Sequence, residues 1–66
     1  MERIGEIRIY TANDLKRVQP VYRTSDQMPD GEQRREALRG LEITARGKDS
    51  MLELYDARGN LVYRVS

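Results

Sequence analysis

The chain has 66 residues with no Cys and no His, which removes disulfides, the common zinc sites and every Ser-His or Cys-His catalytic arrangement. Twelve basic and eleven acidic residues leave a formal net charge of +1, so the charge imbalance of a disordered chain is missing. Leu, Ile and Val total 14 and Phe is absent, a thin supply of core formers for a domain of a size that buries only about 60% of its unfolded surface.

The first eight residues are charged throughout and lack an apolar h-region, so no targeting segment is expected there. No run approaches the length of a membrane span, and cytoplasmic residence is the expectation. Ile7 and Ile9 alternate with Glu6, Arg8 and Tyr10, the pattern of a half-buried strand. Ile4 is out of phase by one, and a bulge at Gly5 would return it to the inner face.

Thr11-Ala12-Asn13-Asp14 has the form of a capping box, with Leu15 and Val18 following at i, i+3. This predicts a helix of about two turns, ended by Pro20 and stable only if docked. Val21 to Thr24 suits a brief extended segment, and residues 25–31 are expected to form a mobile loop. Asp30, with Gln33 three residues on, predicts the start of a second short helix that stops at Gly40.

The remaining residues read as a three-stranded antiparallel meander. Leu41, Ile43 and Ala45 alternate with Glu42, Thr44 and Arg46, and Gly47-Lys48-Asp49-Ser50 turns the chain. Met51 to Tyr55 and Leu61 to Val65 form the last two strands, joined by Asp56-Ala57-Arg58-Gly59 with Gly59 at the positive-φ position. The expected architecture is a single α+β domain over residues 1–66. It has an N-terminal strand, two short helices and the meander, in one small mixed or antiparallel sheet of about four strands.

Loop length and turn type set the pairing of the terminal hairpin. Tyr55 then faces Leu61, Leu54 faces Val62, and Glu53 faces Tyr63. One face carries Leu52, Leu54 and Val62; the other carries Met51, Tyr55, Leu61, Tyr63 and Val65. Both are apolar enough to need cover, and two short helices cover one. Either the chain's own N-terminal strand and loop close the second face, or a partner or second copy does.

Chemistry is sparsely represented. No Gly-rich phosphate loop of common spacing is present, and the carboxylates lie in turns and on strand exteriors beside Arg. Asp26 to Glu32 departs from the EF-hand spacing and contains Pro29. No catalysis, metal, cofactor, membrane contact or small-molecule substrate is therefore expected. The expected role is a non-catalytic protein–protein interaction module, with homodimerisation through the C-terminal hairpin as its simplest form. Met51, Tyr55, Leu61, Tyr63 and Val65 are its expected contact residues. The alternative is a small nucleic-acid-binding regulator using Arg34, Arg35 and Arg39 on the second helix, although Glu32 and Glu36 interrupt that stripe.

The tail from Leu52 to Val65, LELYDARGNLVYRV, resembles the C-terminal hairpin of FlaG-type flagellar accessory proteins, and Gln19-Pro20-Val21 echoes their N-terminal region. That resemblance implies a flagellar accessory role as a further alternative. It covers less than half of the chain and transfers no functional residue.

Overall fold

The computed structural model describes residues 2–12, 14–45 and 49–66, with Thr44 and Ala45 described in backbone only. It contains strand β1 (Arg3–Thr11), strand β2 (Asp14–Tyr22), helix α1 (Asp30–Ala45), strand β3 (Ser50–Asp56) and strand β4 (Leu61–Val65). The strands form one antiparallel sheet in the order β2-β1-β3-β4. Helix α1 lies across the two central strands on one face. The class is α+β, and the N-terminal strand does join the terminal hairpin in a sheet of four.

Beneath α1, Ile4, Ile7, Val21, Leu38, Leu52 and Leu54 form the core, with Ile9, Ala37, Leu41 and Val65 packed against it. The pairing between β1 and β2 slips between Arg3 and Gly5, and Ile4 joins Ile7 in the interior as the out-of-phase pattern requires. A Cβ at Gly5 would strike the carbonyl of Tyr55 and the side chain of Arg34. Glycine there lets Arg34 of α1 cross low over the sheet and donate from Nη1 to the Ile4 carbonyl at 3.0 Å.

Two expected elements are corrected. Residues 14–22 form strand β2, not a two-turn helix. The β1–β2 pairing steps from Tyr10↔Leu15 to Ile9↔Arg17, leaving Lys16 as an extra residue. That bulge places Leu15 and Val18 on the same face of a strand, so a spacing of three that mimics a helix arises from a strand with one residue inserted. Ala12 turns the chain with φ of 53°, and pairing along nearly all of β1 gives the segment backbone partners that a lone short helix would lack. Pro20 is tolerated because β2 lies at the edge of the sheet. Asn13, part of the expected capping box, lies outside the described residues.

The second correction concerns α1, which runs for 16 residues through Gly40 to Ala45. Leu41 and Ile43 are therefore helical, and the meander reduces to the β3–β4 hairpin. Leu38 and Leu41, one turn apart, both meet the core, and this packing outweighs the roughly 1 kcal/mol by which Gly disfavours a helix interior. Of the turn expected at Gly47-Lys48-Asp49-Ser50, Gly47 and Lys48 lie outside the described residues and Ser50 already belongs to β3.

The Asp30–Gln33 box also differs in detail. Pro29 offers its carbonyl to the amides of Glu32 and Gln33. The buried Gln33 amide turns back to the preceding loop, donating from Nε2 to the carbonyls of Ser25 (2.7 Å) and Met28 (2.9 Å). Its Oε1 accepts from the amide and hydroxyl of Thr24. Asp30 instead pairs with Arg23, whose guanidinium also holds Glu2.

Candidate interaction surface

The terminal hairpin turns as its sequence requires. Gly59 has φ of 88° and donates its amide to the Asp56 carbonyl at 3.1 Å. The Asp56 carboxylate accepts from the amides of Arg58 and Asn60, each at 2.9 Å. Hydrogen bonds from Asn60 and then Arg58 outweigh desolvation and hold this carboxyl below the usual aspartate range.

Tyr55 pairs with Leu61 as expected, but the register then slips, giving Leu54↔Tyr63, Glu53↔Arg64 and Leu52↔Val65. The inserted residue is Val62. This corrects the expected faces: Tyr63 and Val65 share the α1 side with Leu52 and Leu54. Met51 and Tyr55 lie on the opposite, open side with Glu53 and Arg64. The five expected contact residues are therefore not assembled on one face. Leu61 stays beside Tyr55 on the open side, so Leu61, Tyr63 and Val65 share only the edge strand β4 and are split between its two faces.

The open side is closed from within, by polar groups. Glu53 stands at its centre with only 4% of its surface exposed. Its Oε1 accepts from the Tyr55 hydroxyl at 2.8 Å, and its Oε2 from Arg64 Nη2 at 2.8 Å and Nε at 3.2 Å. The Arg8 guanidinium stacks over the Tyr55 ring, 4.1 Å from its centroid, while donating to Glu6 at 2.7 Å. Glu6 also pairs with Arg3. Burial pushes the Glu53 carboxyl upward, but hydrogen bonds from Tyr10, Tyr55 and Arg64 prevail and leave it below the usual glutamate range. The same bond to Glu53, with desolvation, raises the Tyr55 hydroxyl. A charged residue between Leu52 and Leu54 was the one sequence signal of this lattice, and it reads as a solvated strand exterior until the cross-strand partners are known.

The two edges differ. Leu61, Val62 and Tyr63 of β4 are 47%, 39% and 49% exposed, on an edge that no other described strand covers. Between β4 and α1 lies a groove of about 340 Å³ lined by Arg35, Leu38, Arg39, Glu42 and Tyr63. The β2 edge exposes Leu15 and Val18 as well, but it also carries Lys16, Arg17 and Pro20, features that blunt a sheet edge.

The three arginines of the nucleic-acid alternative separate. Arg34 is committed to the Ile4 carbonyl and lines a hollow beside Asp56 and Arg58. Arg35 and Arg39 face the β4 groove, with Arg39 also 3.5 Å from Glu36. Among the described residues no acidic cluster is arranged to hold a metal ion, and no helix is long and apolar enough to cross a membrane. No protein family, curated protein or solved structure matches the chain, so the flagellar resemblance of its tail stands without a family assignment.

Proposed function

We propose that this chain is a small non-catalytic protein–protein interaction module whose contact is the outer edge of β4, with self-association as its simplest form. The observation that carries this reading is the uncovered β4 edge with Leu61, Val62 and Tyr63 all substantially exposed. Edge strands of this kind offer a row of main-chain donors and acceptors together with apolar area, the combination used in strand addition. Tyr63 adds a hydroxyl to its ring and suits a contact that is partly wet.

Absolute mass by light scattering across a concentration series tests the reading. Wild type should rise from monomer toward dimer. Tyr63→Ala should weaken association by on the order of 2 kcal/mol, about thirtyfold in Kd. A monomer at every concentration, or unchanged association in Tyr63→Ala, would overturn it. The nucleic-acid alternative retains Arg35 and Arg39, and predicts binding that falls steeply with salt, where an apolar edge contact responds little.

A further inference from the structure

We infer that the β4 edge takes an acidic extended segment of a partner protein, which adds to the sheet beside β4 and sets a carboxylate against Arg35 and Arg39 of α1, an occupant that rests on the reading of β4 as the contact edge. Helix α1 packs chiefly on β1 and β3, so the space above β4 is left to the long side chains of the helix. The groove there holds about 340 Å³, lined by Leu38 and Tyr63 together with Arg35, Arg39 and Glu42 of the helix wall. Tyr63 belongs to this side because it pairs with Leu54, whereas Leu61 and Arg64 pair with Tyr55 and Glu53 on the open side.

Charge decides the occupant. Arg35 and Arg39 stand one helical turn apart, both exposed, and one carboxylate fits between them. Among the described residues Arg35 has no ion-pair partner within the chain. Arg39 reaches Glu36 at 3.5 Å, with both side chains more than half exposed. A pair so long and so wet is worth little, so both guanidinium groups remain available. Glu42, one turn beyond Arg39, leaves the groove with two cations to one anion. Arg64 adds a cation on the other face of the same strand, where Glu53 already holds it. A second copy cannot answer Arg35 and Arg39 through its own β4, which carries no acidic residue. Self-association is therefore the weaker use of this edge and an acidic strand the stronger. Such a strand brings main-chain hydrogen bonds to β4, an apolar side chain over Tyr63, and a carboxylate two residues away on the same face.

Amide chemical shifts of the isotopically labelled chain, followed during titration with two end-blocked peptides, test this partner. One peptide is Thr-Val-Thr-Glu-Thr-Val-Thr, and the other has lysine in place of glutamate. The glutamate peptide should move amides of β4 and of α1 from Arg35 to Glu42, leave β2 unchanged, and bind on the order of tenfold more tightly than the lysine peptide. In an Arg35→Glu/Arg39→Glu double variant that preference should reverse. Both positions are exposed, so the variant should keep the fold, which circular dichroism checks. Equal affinities, a preference that does not reverse, or peptides that leave β4 unmoved would overturn the acidic strand. A single-stranded oligonucleotide that shifts the same amides more strongly than the glutamate peptide would overturn it in favour of nucleic acid. If wild type gains mass with concentration yet shows no peptide preference, the β4 contact stands without this partner. If neither peptide moves β4 and the chain stays monomeric, both fall together.

Discussion

The two faces of the sheet are closed by different physics. Under α1 the interior is apolar: Ile7 and Leu54 are 0% exposed, and Leu38, Leu52 and Ile4 complete the packing. On the other side no helix lies among the described residues, yet Glu53 is almost as inaccessible, roofed by Tyr10, Tyr55, Arg64 and the Arg8 guanidinium over the Tyr55 ring. A chain too short for two apolar layers has covered its second face with long side chains that bury their stems and satisfy one another's polar ends. The apolar surface left over at the terminal hairpin therefore lies at the rim, along β4, and not across the open face.

Cutting each face at its centre separates their contributions. Leu54→Ala removes a fully buried side chain from the apolar face and should cost about 3 kcal/mol or more, measured by urea denaturation. A domain of this size has only a few kcal/mol in total, so the variant should be close to unfolding. Glu53→Gln keeps the shape of the lattice but removes its charge, and should cost about 1–2 kcal/mol, since hydrogen bonds to charged groups exceed neutral ones. A loss as large as that of Leu54→Ala would mean that the polar face carries the fold. No loss would mean that the lattice is incidental.

A smaller effect separates the faces by pH. The Glu53 carboxyl is held below the usual range in the folded state, so its contribution is complete above the unfolded glutamate value, about 4.3, and disappears as pH falls through the folded value. Asp56 in the turn acts in the same direction. Thermal melts of wild type should therefore lose stability on acidification below about pH 4, and the decline should be shallower in Glu53→Gln. Equal slopes would mean that Glu53 does not contribute to the acid sensitivity.

What could be read from the residues follows the same division. Strands β1 and β3, the Asp56–Gly59 turn and the start of α1 at Asp30 were all visible as periodicity or turn chemistry. The two misreadings of the sheet both trace to a single extra residue in an edge strand. At Lys16 the bulge gave Leu15 and Val18 a helical spacing, and at Val62 it moved Tyr63 and Val65 to the α1 side. A bulge shifts every later side chain to the other face, and it depends on the partner strand, which local sequence does not contain. The reach of α1 past Gly40 was hidden for a related reason: Leu41 is apolar on either period, and only the core beneath it decides. Of the expected contact residues, Leu61, Tyr63 and Val65 belong to the edge strand β4, with Leu61 on the open side and the other two on the α1 side.

The claim that the β4 edge, and neither the β2 edge nor the open face, is where this molecule meets another is tested most directly by amide hydrogen exchange at low and high protein concentration. Amides of β4 should become more protected as concentration rises, while those of β2 exchange at rates independent of it. Concentration-dependent protection in β2, or none in either strand, would contradict it.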